Sequence, residues 1–239
     1  MKNIIVYGDI HGCLDELKKL RKKIALSPDD IEVSVGDFFN KGPHSVETLH
    51  YLLDENIKMI LGNNEVKVLK MYRRYKKDGK KYLKTLRDFE KNTVLTVTET
   101  EISYLKNLPY FLRFYNLTIV HGGILPNTKL SEKLDKNTKK DVTLARYLNK
   151  DLETIPWNDI EGRYKFWSEV YDGREGFVIY GHQPFDKPKI DEFSIGIDTG
   201  CVYDGKLTAI KIPIDDEAKK VLIDEYELIS VKAMKNYWK

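Results

Sequence analysis

The chain contains few cysteines and no long apolar run, and these two features argue against a disulfide-rich secreted protein and a membrane-spanning protein. Only 2 of its 239 residues are cysteine, which excludes a disulfide-rich secreted scaffold. Cys13 and Cys201 fit a reducing compartment, although the sequence leaves open whether they lie close together and form a bridge. No apolar stretch approaches the ~18 residues that a membrane-spanning helix needs. We therefore expect a cytoplasmic protein that has no membrane partner.

The chain also lacks a strong excess of either charge. Its 40 basic and 37 acidic residues leave a formal net charge of +3. So small an excess argues against a protein that binds nucleic-acid polymers, whose phosphates attract strongly basic surfaces. We find no internal repeat, low-complexity tract or linker, and 239 residues suit one domain with a sizeable core. We predict a single domain over residues 1–239.

Short apolar runs end repeatedly in turns of glycine and polar residues. Six of these runs are predicted to be strands: Ile4–Tyr7, Ile31–Val35, Lys58–Leu61, Leu117–Val120, Phe177–Tyr180 and Ser194–Ile197. Between the early strands, Cys13–Ile24 and Val46–Leu53 carry apolar residues at helical spacing. This alternation predicts an α/β fold, in which functional loops gather at the carboxyl ends of the strands. Residues 202–231 resemble terminal strands around an Asp-Gly hairpin turn.

One long charged segment, residues 66–106, interrupts this alternation with a mostly helical pattern. It includes a basic stretch that runs from Tyr72 to Lys81. Two interpretations remain open for this stretch. It forms either a solvated helical face or a cap whose cations attract an anionic substrate to the site. We therefore predict a charged helical insertion or cap over residues 66–106.

Residues of metal-ligating type recur where the predicted strands end. Six of them stand in the turns after five strands: Asp9, His11, Asp37, Asn63, His121 and His182. The other two histidines, His44 and His50, lie outside this pattern and are predicted to be surface or helix residues. Carboxylate, imidazole and amide oxygen together suit divalent ions such as Mn, Fe, Zn or Mg. Six such residues suffice for two ions if one carboxylate bridges them, and paired ions activate water and neutralise phosphate.

The same turns resemble, in order, the motifs of the calcineurin-like metallophosphoesterases. That family has GDxHG, GDxxDRG, GNHE, HGG or HAG, and GH. This chain has GDIHG from Gly8, GDFFNKG from Gly36, GNNE from Gly62, HGG from His121 and GH from Gly181. Among the branches of the family, the chain is most similar to the bacterial symmetrical diadenosine tetraphosphatases and the related phosphoprotein-phosphatase-like proteins. The stretches GHQPF and DTGC support that placement.

The resemblance implies a four-layer α/β/β/α sandwich with a site for two metal ions. By this resemblance, Asp9, His11 and Asp37 hold the first ion. Asp37 bridges to the second ion, which Asn63, His121 and His182 complete. The implied ions are two divalent cations, with Mn first and Fe, Zn, Co, Ni or Mg as alternatives. The implied substrate is a phosphorylated small molecule, above all a nucleotide, with a phosphoprotein as the alternative.

Two catalytic positions depart from the family motifs. The GNHE histidine protonates the leaving oxygen in the family and is Asn64 here, and the GDxxDRG aspartate that supports it is Asn40. A carboxamide cannot donate a proton at neutral pH. The arginine of that motif is Lys41, which keeps the charge but loses the two-pronged grip on phosphate. We predict that Arg163 supplies a further phosphate contact, with Arg174 as the competing candidate.

The missing acid favours a substrate whose leaving group needs no proton. An alkoxide is about as basic as hydroxide, whose parent water has a pKa of ~15.7, and general-acid catalysis is worth roughly 10²–10⁴ in rate there. A phosphate leaving group, with a second pKa near ~6, departs without a proton. We therefore predict a metal-dependent phosphohydrolase that cleaves phosphoanhydrides such as diadenosine tetraphosphate. Two alternatives remain: a serine/threonine-type phosphoprotein phosphatase, and a degenerate member that binds metal and nucleotide with little turnover.

Overall fold

Strands and helices alternate through the computed structural model, which describes residues 2–126 and 128–238. The strands are β1 (Asn3–Tyr7), β2 (Ile31–Ser34), β3 (Lys58–Met59), β4 (Phe111–Phe114), β5 (Leu117–Val120), β6 (Tyr147–Leu148), β7 (Lys165–Phe166), β8 (Phe177–Tyr180), β9 (Lys189–Asp191), β10 (Ser194–Gly196), β11 (Asp198–Thr199), β12 (Lys206–Asp215), β13 (Lys220–Val221) and β14 (Glu227–Lys232). The helices are α1 (Leu14–Ile24), α2 (Ser45–Asp54), α3 (Asn63–Asp78), α4 (Lys80–Leu83), α5 (Asp88–Thr96), α6 (Glu99–Lys106) and α7 (Lys136–Leu144).

The strands form two main sheets, and each contains three parallel strands that are followed by the loops of the candidate site. The first sheet has the order β11-β12-β1-β2-β3, with β13 and β14 also paired to β12. The second has the order β4-β5-β8-β10-β9. Strands β1, β2 and β3 run parallel to one another, as do β5, β8 and β10. Because parallel strands end at one edge of a sheet, the loops that follow them gather there.

Three hydrophobic clusters separate four layers. Along β1, Ile4 and Val6 belong to the cluster between the two sheets, whereas Ile5 and Tyr7 belong to the cluster under the helices. This division follows from strand geometry, since successive side chains point to opposite faces. A third cluster, which contains Trp167, covers the outer face of the second sheet. The predicted α/β fold is confirmed, with helices outside each sheet.

The charged segment over residues 66–106 forms most of α3 and all of α4, α5 and α6. Its apolar residues Val68, Val94 and Leu105 are buried in the same cluster as Leu17 of α1. The segment therefore extends the outer helical layer. The four lysine and arginine side chains within Tyr72–Asp78 are exposed, as on a solvated helical face. A role for this stretch as a substrate-attracting cap, like the assignment of residues 1–239 to one domain, stays a prediction.

Five of the six predicted strands, all but β3, lie within one residue of the observed bounds at each end. Leu117–Val120 and Phe177–Tyr180 match the predicted runs. Strand β3 ends at Met59, two residues earlier than predicted, because the Leu61 amide donates to the carbonyl of Pro109. The last part of the terminal strands predicted over residues 202–231 is divided, since a short 3-10 helix separates β13 from β14.

The two cysteines lie together beneath the first sheet's helices. Cys13 and Cys201 are buried free thiols, and their sulfur atoms lie within 4.8 Å of each other and of a Glu16 carboxylate oxygen. The structure therefore answers the question of proximity and holds the pair in the reduced form. Within residues 2–126 and 128–238, no helix combines the length and apolar character that crossing a membrane requires.

Candidate metal centre

The structure brings the five carboxylate and imidazole ligands predicted from the sequence into two buried triads. The triads are Asp9–His11–Asp37 and Asp37–His121–His182. Within each triad, the candidate ligand atoms all lie within 4.8 Å of one another. The sixth predicted ligand, Asn63, adjoins the second triad, since its Oδ1 lies 3.0 Å from His121 Nε2. Because both triads contain Asp37, the geometry offers two neighbouring cation positions that share one carboxylate.

Sharp turns after the strands direct these side chains toward one another. Three of the predicted ligands have left-handed backbone angles, with φ of 48° at His11, 52° at Asp37 and 69° at His182. Non-glycine residues adopt such angles at a cost, and strained backbone of this kind concentrates at functional sites. Gly62 is required for close approach, because a Cβ there would collide with the Asp37 carboxylate. The local backbone is thus shaped around the candidate ligands.

Hydrogen bonds fix the orientation of two of the imidazole rings. Nδ1 of His11 lies 3.1 Å from the carbonyl oxygen of Phe39, and Nδ1 of His121 lies 2.9 Å from that of Val35. A ring that donates from Nδ1 presents Nε2 as the ligand atom. Within the described chain, no hydrogen-bond partner reaches the buried Nδ1 of His182. An unpartnered buried ring nitrogen at this place is consistent with a ligand atom.

Burial keeps the imidazoles in the form that binds metal. It lowers the pKa of His11 to about 3, with the Lys41 ammonium adding to the effect. It likewise lowers the pKa of His121 and, together with Arg146 and His121, that of His182. All three rings are therefore neutral near pH 7. Neutral imidazole is the ligand form, so no proton has to leave these rings before a cation binds.

The buried carboxylates crowd one another and favour a cation. Burial and the negative charges of Asp198 and Asp37 raise the pKa of Asp9 well above its usual range. Burial raises the pKa of Asp198 to about 6. For Asp37, burial is outweighed by His121, His11 and nearby hydrogen bonds, which lower its pKa. Carboxylates that repel one another in a buried site are stabilised by a bound cation. The donor set therefore fits divalent metal ions.

Glu65 positions the turn that carries Asp37, although no role was predicted for it from the sequence. Its fully buried Oε2 accepts from the amides of Asp37 at 2.7 Å and Gly62 at 2.9 Å. Its Oε1 accepts from the Phe39 amide at 3.0 Å. Burial, followed by the Asp37 charge, raises the pKa of Glu65 to about 8. The signal in the sequence was a glutamate at the third position of α3, where a capping-box residue stands.

Asn64 and Asn40, the two substituted catalytic positions, contact each other. The Asn64 side-chain amide donates to Asp37 Oδ2 at 2.5 Å, and its backbone amide donates to Oδ1 at 2.8 Å. The Asn40 side-chain amide in turn donates to Asn64 Oδ1 at 3.2 Å. The two carboxamides thus form a connected pair against the shared aspartate. Neither can protonate a leaving group.

The predicted phosphate-binding residues occupy different places. Lys41 lies at the first triad, with its Nζ 2.8 Å from His11 Nε2. Burial opposes its charge, but the carboxylates of the site outweigh burial and raise its pKa. Arg163 is exposed, with its guanidinium 4.4 Å from the ring centre of Tyr147 and a bond to the Trp157 carbonyl. None of these Arg163 contacts involves a candidate ligand.

Arg146 is the arginine that the structure places beside the second triad, and the sequence gave no signal for it. Its Nη2 donates to the carbonyl oxygen of His182 at 3.1 Å. Its buried Nε has no hydrogen-bond partner in the described chain. The other competitor, Arg174, forms an exposed ion pair with Asp172. A residue that follows α7 reaches the site only through tertiary packing, which explains why no local pattern indicated Arg146.

A two-sheet sandwich that holds buried carboxylate and imidazole triads at its strand ends defines a metal-dependent phosphohydrolase. The family model of the calcineurin-like phosphoesterases matches residues 2–216, and the chain belongs to this family. Members of the family use divalent metal ions, and the triads supply candidate ligands for them. The resemblance of the turns to the family motifs is therefore confirmed.

Similar proteins include enzymes named for dinucleoside tetraphosphates. The asymmetrical bis(5'-nucleosyl)-tetraphosphatase PrpE of Oceanobacillus iheyensis is 28% identical over 88% of this chain and 88% of its own length. The symmetrical bis(5'-nucleosyl)-tetraphosphatase of Vibrio parahaemolyticus is 27% identical over 86% of this chain and 94% of its own. The crystal structure of a candidate diadenosine tetraphosphatase has a TM-score of 0.75 and 25% identity, covering 98% of this chain and 94% of that one.

Proposed function

We propose that the protein uses two divalent ions to hydrolyse phosphoanhydride bonds of a dinucleoside polyphosphate such as diadenosine tetraphosphate. The observation that carries this proposal is the pair of triads joined at Asp37. In it, Asp9, His11 and Asp37 hold one ion, and the second takes Asp37 with Asn63, His121 and His182. Mixed carboxylate, imidazole and amide ligands suit several divalent ions, of which manganese is the first candidate, with Fe, Zn, Co, Ni or Mg as alternatives.

The protein's own groups prepare this reaction by orienting ligands and placing positive charge. Two bound ions supply activated water and neutralise phosphate charge. The backbone carbonyls of Phe39 and Val35 hold the rings of His11 and His121 in position. Lys41 beside the first triad and Arg146 beside the second provide cations at both ends of the site. Cations placed in advance stabilise the charge that develops as a phosphate group departs.

The carboxamide pair supports a phosphoanhydride substrate. Asn64 and Asn40 stand where the family motifs have an acid and its supporting carboxylate, and a carboxamide donates no proton. A phosphate leaving group tolerates this loss, because its second pKa near ~6 lets it depart as an anion. The names of the relatives from Oceanobacillus iheyensis and Vibrio parahaemolyticus point to the same substrate class.

A substrate panel with added metal tests the proposal. The purified protein is assayed with Mn²⁺, and separately with Mg²⁺, Zn²⁺, Co²⁺ or Ni²⁺, against diadenosine tetraphosphate, a phosphoserine peptide and p-nitrophenyl phosphate. We expect the highest kcat/KM on the dinucleotide, and chromatography of the products distinguishes symmetrical from asymmetrical cleavage. Preference for the peptide would favour a phosphoprotein phosphatase. Bound metal without turnover of any substrate would indicate a degenerate binding protein.

Restoring the acid should widen the substrate range. The double variant Asn64→His with Asn40→Asp is expected to hydrolyse a phosphoserine peptide at least about tenfold faster than wild type, since general acids contribute roughly 10²–10⁴. Asn40 has a φ of 66°, and aspartate tolerates this left-handed region as asparagine does. The single variant Asn64→His serves as the control and should gain less, because it lacks the supporting carboxylate. Equal rates for the two variants would contradict the idea that the positions act as a pair.

Arg146 should matter more for phosphate binding than Arg163. Arg146→Ala removes a guanidinium beside the second triad, and hydrogen bonds to charged groups contribute about 1.5–3 kcal/mol each. We expect kcat/KM on diadenosine tetraphosphate to fall by about tenfold to a hundredfold. Arg163→Ala is the matched control on the exposed loop. A larger loss of kcat/KM in the Arg163 variant than in the Arg146 variant would indicate that Arg163 is the residue that contacts phosphate.

A further inference from the structure

A cleft of about 680 Å³ opens beside the first triad, and we call it the Phe89 cleft. Its lining includes Lys41, Phe89 and Asn92 of α5, and Asn236 and Tyr237 near the C-terminus. Its volume lies within the about 300–1,000 Å³ that is typical of small-molecule sites. The cleft thus combines Lys41, whose ammonium contacts His11, with aromatic and amide side chains.

Aromatic rings connect this cleft to the reaction site. The ring of Phe89 lies 5.4 Å from that of Trp238, which lies 6.1 Å from that of Tyr203. Tyr203 in turn lies 5.1 Å from the Lys41 ammonium. The chain near Trp238 is held in place, because the amides of residues 237 and 238 both donate to the Val202 carbonyl. Phe89, the ring of this series that lines the cleft, therefore packs against a fixed aromatic neighbour.

A second cleft of about 490 Å³ opens beside the other triad, and we call it the Trp157 cleft. Its lining includes Asn63, His182 and Arg146 at the second triad, together with Trp157. The Trp157 side chain is 74% exposed. A tryptophan that is so exposed at the rim of a cleft is a suitable platform for an aromatic ligand.

The two clefts lie next to different triads of the candidate metal centre. Lys41, at the end of the Phe89 cleft, contacts His11 of the first triad. The Trp157 cleft reaches Asn63 and His182, which belong to the other candidate ion position. A ligand that fills both clefts therefore needs two aromatic ends joined by a polyanion that crosses both positions. A dinucleoside polyphosphate has this arrangement of groups.

We propose that the Phe89 cleft and the Trp157 cleft each bind one nucleoside of the substrate while its phosphates cross the shared-aspartate site. This inference rests on the proposed function and adds to it the residues that recognise the two nucleosides. The base in the Phe89 cleft stacks on Phe89, and the base in the other cleft stacks on Trp157. Stacking on an aromatic ring tolerates different bases, so the clefts select for the presence of two nucleosides more than for their identity.

The test is equilibrium binding of a diadenosine tetraphosphate analogue with non-hydrolysable methylene bridges, measured by calorimetry on the metal-loaded protein. Phe89→Ala and Trp157→Ala should each weaken binding by about tenfold, as base–aromatic contacts elsewhere do. Because the clefts are separate, the double variant should lose about a hundredfold. Methylenediphosphonate, which has no nucleoside, should bind all of these variants as it binds wild type.

Two further variants distinguish stacking of a base on the Phe89 ring from simple apolar contact with the side chain. Phe89→Leu keeps an apolar side chain but removes the aromatic face, and we expect it to bind the analogue as weakly as Phe89→Ala. Tyr104→Ala removes a half-exposed ring on α6 that lines neither cleft and should bind normally.

Each outcome decides the assignment. Unchanged affinity for the analogue in either alanine variant overturns the assignment of that cleft, as does a wild-type protein that does not bind the analogue. An equal loss of methylenediphosphonate binding would show a general structural defect and also count against it. A wild-type protein that binds the analogue in both clefts but does not hydrolyse diadenosine tetraphosphate would refute the proposed function while the nucleoside sites stand.

Discussion

Replacing Asp37 by asparagine is expected to remove most bound metal and to lower kcat/KM by more than about a hundredfold. Replacing a residue that merely supports a metal ligand typically lowers metal affinity or activity by roughly 10- to 100-fold. We expect the loss of a ligand shared by two ions to exceed this. The amide has one acceptor oxygen where the carboxylate has two, and both Asp37 oxygens accept from Asn64. The change therefore removes the negative charge and also disturbs the hydrogen bonds that orient the side chain.

Metal content by mass spectrometry and activity on p-nitrophenyl phosphate, measured on the same samples, check this prediction. Asp172→Asn is the matched control, because Asp172 is exposed, bonds to the side chain and amide of Arg174, and should leave both quantities unchanged when substituted. Circular dichroism shows whether the Asp37 variant keeps its fold. A folded Asp37→Asn protein that retained two ions per chain would show that this carboxylate does not join two sites.

The sequence predicted which residues cluster at the candidate metal centre, because they lie in short turns that follow strands. His121 follows β5 directly, and Asp9 and Asp37 follow β1 and β2 within three residues. In a fold with parallel central strands, such positions meet at one edge whatever the length of the intervening helices. Residues of metal-ligating type that stand beside glycine in these turns therefore lie close together in the fold.

The remaining parts of the site depend on contacts between distant segments. Arg146 reaches His182 across 36 positions in the sequence, and Trp238 reaches Phe89 across a far longer separation. No periodicity or turn motif encodes such contacts. Arg163 was the phosphate contact predicted from the sequence, yet its guanidinium lies over the ring of Tyr147. Packing, and not local chemistry, decides which of several arginines stands beside a buried centre.

The rate of hydrolysis should depend steeply on the basicity of the leaving group. Across a series of substituted phenyl phosphates, log kcat/KM is expected to fall sharply as the pKa of the phenol rises. Without an acid, the negative charge on the departing oxygen is stabilised only by the ions and by cations such as Lys41 and Arg146. Diadenosine tetraphosphate should exceed a phosphoserine peptide by roughly 10²–10⁴ in kcat/KM, the usual contribution of a general acid.

The competing view is that another group replaces the missing acid, and Lys41, whose ammonium contacts His11, is one candidate. The surrounding carboxylates and Tyr203 raise the pKa of Lys41, so its ammonium holds its proton firmly. A lysine that donated the proton would give a shallow plot and similar rates on alkyl and anhydride substrates. In that case Lys41→Arg would steepen the plot while preserving charge, whereas without such donation the slope should not change.

The slope is informative only where bond cleavage limits the rate. Solvent viscosity is therefore varied across the series, since a rate limited by product release falls as viscosity rises and one limited by chemistry does not. The double variant Asn64→His with Asn40→Asp supplies the internal comparison, because a restored acid should flatten the plot. A flat plot for the wild-type protein, with chemistry limiting, would count against a phosphoanhydride substrate. The paired triads at Asp37 would still account for metal binding, and the substrate would then be sought among phosphate monoesters.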